Sequence, residues 1–188
     1  DMKVMIDGSI VIAGSENENP DNVFIIKLNS DLSTNWVKVF TMPATPVNVK
    51  VDLAGDDAGE GLQQILLAVQ LNSSVVCVKL KADNSVQWSS VFDIAGINEL
   101  VGFSNVYTTL GLIVNVTRNG MQFTSVTEIN GNDGSWLKSG LIGDGGDETK
   151  CFELKSYYRL NLVSVRKSGN TFKLERDKIY SSSLIETQ

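Results

Sequence analysis

Phe24-Ile25-Ile26-Lys27-Leu28-Asn29-Ser30-Asp31-Leu32-Ser33-Thr34-Asn35-Trp36-Val37-Lys38-Val39-Phe40 is matched, 52 positions later and without a gap, by Val76-Cys77-Val78-Lys79-Leu80-Lys81-Ala82-Asp83-Asn84-Ser85-Val86-Gln87-Trp88-Ser89-Ser90-Val91-Phe92. Lys, Leu, Asp, Trp, Val and Phe recur in register. A third copy runs Ser125-Val126-Thr127-Glu128-Ile129-Asn130-Gly131-Asn132-Asp133-Gly134-Ser135-Trp136, with one residue fewer before the tryptophan and Gly140 where Phe is expected. A fourth, Thr171-Phe172-Lys173-Leu174-Glu175-Arg176-Asp177, keeps Lys-Leu and Asp and has no tryptophan. Each copy follows another apolar strand, centred on Val11, Leu67, Ile113 and Leu162.

Between and within these copies, short apolar runs are broken by Gly, Asn, Asp and Ser, which are strand and turn signals. About sixteen strands are expected and no secure helix, although Ala58 to Leu67 has room for one helical turn. A quarter of the 188 residues is 47, beside the ~40 to 50 of common propeller repeats. Four strands per unit make one blade. In each unit a strand ends in Lys-Leu, a polar turn reverses the chain, and the Trp opens the next strand.

The expected fold is therefore all-β: a four-bladed β-propeller or a four-blade segment of a larger one, the alternative being a two-sheet β-sandwich. Residues 1–188 form a single β-repeat domain in this reading, with approximate blades at 1–42, 43–94, 95–142 and 143–188. The repeat-core positions are Trp36, Trp88, Trp136, Phe40, Phe92, Leu28 and Leu80, the large rings filling the wedges between sheets.

The pattern Gly8-x-Ile10-Val11-Ile12-Ala13-Gly14-Ser15, then Phe24-Ile25-Ile26-Lys27-Leu28 and Trp36-x-Lys38-Val39-Phe40, resembles the tryptophan-motif propeller repeats of secreted and surface proteins of bacteria and protists. That resemblance implies an architecture rather than a chemistry, because such repeats serve scaffolds, adhesins and some quinoprotein enzymes. It also implies an extracellular or cell-surface location.

Composition removes several functions. A net charge of −6 with no run of Lys or Arg lacks the footprint of a nucleic-acid or anionic-lipid binder. Apolar runs stop after about five residues, short of the roughly 20 of a spanning helix. The chain contains no His, which removes His metal ligands and Ser-His or Cys-His dyads. A start at Asp1 without a basic and apolar leader suggests a processed or excised segment.

The acidic loops Asp52 to Glu60 and Gly143 to Glu148 offer carboxylates but match no calcium-loop pattern and read as solvated turns. No metal or cofactor is expected. Cys77 occupies the slot of Ile25, an apolar core position, and Cys151 belongs to another repeat, so two buried thiols are expected rather than a disulfide. Two sequons, Asn72-Ser73-Ser74 in a hairpin turn and Asn115-Val116-Thr117 on a strand, are candidates for glycosylation.

The functional expectation is a non-catalytic extracellular structural or interaction module, self-assembling as a fibre or surface-layer subunit. Its partners would be copies of itself, other surface proteins or glycans, contacted through flat faces and through the edge strands Met2 to Ile6 and Ser182 to Ile185. The alternative is a fragment of a larger propeller enzyme or carbohydrate-binding protein.

Overall fold

The computed structural model of the chain describes residues 1–55, 63–106, 109–142, 148–154, 160–168 and 171–179, with 104–106 and the last three segments described as backbone only. Fifteen strands and no helix occur among them. They form four separate antiparallel sheets, each a meander in which every strand pairs with its neighbour in sequence, and none closes into a barrel. The first sheet is β1 (Met2–Val4), β2 (Ile10–Ser15), β3 (Asn22–Leu28) and β4 (Thr34–Thr41). The second is β5 (Asn48–Ala54), β6 (Gln64–Gln70), β7 (Ser74–Leu80) and β8 (Val86–Asp93). The third is β9 (Ile97–Val106), β10 (Thr109–Arg118), β11 (Met121–Asn130) and β12 (Trp136–Ile142). The fourth has three described strands, β13 (Glu148–Leu154), β14 (Leu160–Ser168) and β15 (Thr171–Ile179).

The chain divides into two compact units, Asp1–Asp93 and Ile94–Gln188, each holding two sheets. In the first unit the sheets stack face to face. Val11, Ala13, Val23 and Ile25 of the first sheet pack against Ile65, Leu67, Val69, Val76, Val78 and Leu80 of the second, with Met5, Met42 and Leu71 at the margins. All three β-branched valines and isoleucines on the first side are essentially unexposed, the close packing that a pleated surface of branched side chains favours. In the second unit β13 lies against β9 and β11.

The turn joining the last two strands of each complete sheet is the same device three times. Asn29 N–H donates to Ser33 O at 2.9 Å, Lys81 N–H to Ser85 O at 2.9 Å and Asn130 N–H to Ser135 O at 2.8 Å. The residue before each of those serines is left-handed: Leu32 at φ 68°, Asn84 at φ 60° and Gly134 at φ 73°. The β1–β2 turn repeats it, with Gly8 at φ 80° between Asp7 and Ser9. In all four an Asp two residues earlier accepts the serine N–H, at 2.9 to 3.0 Å. This is an Asx-type turn, in which a side chain replaces a backbone acceptor. The recurring Asp thus has a structural partner, the serine two positions on.

Register corrects two sequence expectations. Lys27 pairs with Trp36 and Lys79 with Trp88, each beside a bulge before the following leucine. In the third sheet Glu128 pairs with Lys138 and Ile129 with Trp136. Counted from the turn serine, Lys138 and not Trp136 is the counterpart of Trp36, and Ile142 rather than Gly140 stands for Phe40. Trp136 was expected in a core and is 57% exposed, because its turn carries one extra residue before Asp133 and the ring enters the strand two positions early. The second correction concerns Asp177, expected in a turn; it lies inside β15, paired with Leu162. The candidate helical turn overlaps strand β6 from Gln64 onward, and its earlier residues fall outside the described ones, as do 182–185.

Candidate functional surface

Alternation along a strand sends neighbouring residues to opposite faces, so the pairing registers sort the first sheet into two faces. One carries Val11, Ala13, Val23, Ile25, Trp36 and Phe40 and meets the second sheet. The other carries cross-strand rows: Met2, Ile12, Ile26 and Val37; Val4, Ile10 and Leu28; Gly14, Phe24 and Val39. No charged side chain stands within these rows. Met2 is 56% exposed, Val4 62%, Val37 56% and Val39 48%, while Ile10, Ile12, Phe24, Ile26 and Leu28 are half-buried. Phe24 lies over Gly14, where a Cβ would meet its ring at 2.9 Å, so the missing side chain at residue 14 seats the aromatic flat on the sheet.

The second sheet shows what the same face looks like when covered. Register makes Val51, Leu67 and Val78 the counterparts of Met2, Ile12 and Ile26, and Leu53, Ile65 and Leu80 those of Val4, Ile10 and Leu28. These counterparts belong to the core against the first sheet, with Val51 and Leu67 at 1% and 0% exposed. The signal for the open face was already in the run Ile10-Val11-Ile12-Ala13. Both of its faces are apolar, the pattern of a strand covered on two sides rather than one.

The other expected positions are placed as follows. Trp88 is buried, Phe92 nearly so and Leu80 fully, whereas Trp36 and Phe40 are half-buried against the core. Leu28, expected in the repeat core, lies on the open face. Cys77 is a free thiol in the second sheet, and burial pushes its pKa well up, which leaves it a small apolar group with no thiolate to react. Cys151 pairs in register with Ser164 on β14.

Asn72 stands exposed in the β6–β7 turn. Asn115 does not suit a glycan: it is 4% exposed, its Nδ2 reaches Glu99 Oε2 at 3.4 Å and its Oδ1 accepts from Thr124 Oγ1 at 3.0 Å. A strand interior that satisfies both ends of an amide leaves no room for a sugar.

Carboxylate chemistry in the described residues is turn chemistry. Hydrogen bonds from the serine hydroxyls, and then from the serine N–H groups, hold Asp7, Asp31, Asp83 and Asp133 below the usual carboxylate range. Glu128 moves the other way because burial disfavours its charge, an effect partly offset by Lys138 at 3.6 Å. That ion pair takes the place of the Lys-Trp pair of the first two sheets. No group of three or more potential metal ligands gathers among the described residues, and most of the two acidic loops lies outside them. No helix among the described residues is long and apolar enough to cross a membrane.

No protein-family model matches the chain, and no curated protein is similar to it.

Proposed function

We propose that this chain is a non-catalytic structural or interaction module of the extracellular space or cell surface, a propeller-type repeat protein that assembles with copies of itself. The observation that carries this reading is the open face of the first sheet, ten positions in cross-strand rows with no charge among them. A soluble chain that keeps such a face in water bears a continuing cost in apolar hydration, which burial in an assembly removes. The repeat's remaining polar features serve the fold: the recurring Asp residues close turns, and Cys77 fills a core. The absence of His from the sequence points the same way.

Asn72 is the position at which an extracellular location would leave a mark, since its turn is exposed. Negative-stain microscopy, light scattering and intact mass of the native material test the proposal together. Filaments or sheets, with mass above the 20.5 kDa of the bare chain, are expected. A monodisperse particle of 20.5 kDa at high concentration would overturn it.

A further inference from the structure

We infer that the open face of the β1–β4 sheet is a docking face for a second copy of this chain. The inference rests on the self-assembly reading above and adds the surface and its occupant. The first unit already contains one example of the contact. In the second sheet, the face bearing Val51, Leu67 and Val78 is buried against a sheet built from this same repeat. In the first sheet the equivalent face bears Met2, Ile12 and Ile26 in the same cross-strand row, and it is open. A surface whose repeat-equivalent is a sheet-on-sheet interface is shaped for a sheet of its own kind: branched side chains on a pleat, interdigitating across about 10 Å. A second copy supplies such sheets. The lack of charge in the rows means that no like charges are brought together when two copies meet.

Size sets the strength. Four strands at ~4.8 Å and three rows at ~6.6 Å give a face of roughly 19 by 20 Å, or ~400 Å². Two such faces bury about 800 Å² in projection, below the ~1,200 Å² of standard interfaces. The association is therefore weak and driven by concentration. A flat assembly gains stability from many copies rather than from any one contact.

Sedimentation velocity over about 10 to 500 µM protein, the range for interfaces of this size, tests the inference with three chains. In the wild type the weight-average mass should rise above 20.5 kDa with concentration. Met2→Glu with Val4→Glu places two carboxylates in the contact, where burial without a partner is costly, and should weaken association about tenfold or more. Both residues are more than half exposed on an edge strand, so the variant should fold, with a melting temperature within a few degrees of wild type. Val91→Glu, on β8 and 62% exposed, is the control and should associate like wild type. If wild type associates and the double variant does so equally, this face is not the contact, although self-assembly stands. If the wild type stays at 20.5 kDa throughout, as it would were the face reserved for another protein or for further repeats of a longer chain, both readings fall.

Discussion

The first and second sheets are built from the same words and live in different surroundings. In the second, every residue of β7 is buried and all but the first of β6, and the sequence reads as the unbroken apolar run that such burial requires. In the first, buried and half-buried positions alternate along β2 and β3, yet Ile10, Ile12, Phe24, Ile26 and Leu28 are as apolar as their counterparts. Burial pattern and residue pattern agree in one sheet and disagree in the other. Patterning reports what a strand is made to be covered by, and where cover is missing the mismatch marks a surface with work to do.

The sharpest way to break that comparison is a matched pair of truncations. Leu67→Ala empties a fully buried site in the first unit's core and should cost about 3 to 5 kcal/mol, whereas Ile12→Ala, at the equivalent position of the open face, should cost about 1 kcal/mol. Denaturant unfolding at low protein concentration measures both. Equal costs would mean that the face is covered in the isolated chain.

Next in size is Gly96→Ala in the second unit. Its φ is +73° and a Cβ would sit 2.1 Å from the Thr117 carbonyl oxygen, which is backbone and cannot swing away. A loss of about 2 to 4 kcal/mol is expected from the strained φ and the displaced turn. Gly14→Ala in the first sheet, by contrast, meets only the movable ring of Phe24 and should cost less than about 1 kcal/mol. A reversed order would show that the open face is packed more tightly than its exposure implies.

The turns sharpen the comparison from another side. The same left-handed position holds Leu32 in the first sheet, Asn84 in the second and Gly134 in the third. Leucine has the greatest steric objection to that conformation, so Leu32→Gly should stabilise by about 1 kcal/mol and Asn84→Gly by a few tenths. Thermal denaturation of the two variants decides whether the turns are equivalent in energy as well as in geometry.

The smallest effect is on pH. Asp31, Asp83 and Asp133 have carboxyl pKa values lowered in the folded chain, chiefly by serine hydroxyl hydrogen bonds. A lowered folded-state pKa contributes stability that is present above the unfolded value, near 3.8, and is lost as pH falls through the folded one. Melting temperature should therefore drop as pH is taken from about 5 to below 3, and less steeply in Asp83→Asn. These groups are fully exposed, so solvent and salt screen much of the effect. An identical slope in the variant would remove the turn carboxylates as its source.

Much of the fold was legible because the repeat wrote it more than once. Strand positions, the all-β class and the division into sheets followed from the Lys-Leu and Trp landmarks. Register did not follow, since a one-residue change within a turn is invisible to pattern but moves Trp136 from wedge to surface and lets Lys138 pair with Glu128. The Asp landmark was seen while its serine partner was passed over, because a turn's meaning lies in its hydrogen bonds. The open face was missed for a different reason. Apolar residues at Ile10 and Ile12 look the same in a sequence whether a neighbouring sheet covers them or not.

Because each strand pairs only with its predecessor and successor, every loop that must close in a sheet is short, and closure entropy is small. A sheet of this kind can form while the chain is being made. At ~5 to 20 residues per second, the ~50 residues of the next repeat take several seconds to emerge, a long interval beside the microseconds to milliseconds in which hairpins form. Throughout it the first sheet stands alone at the ribosome with both apolar faces bare, one waiting for its neighbour in the chain. On a polysome carrying several nascent copies, that interval is when a neighbouring copy, or a chaperone, first meets the other.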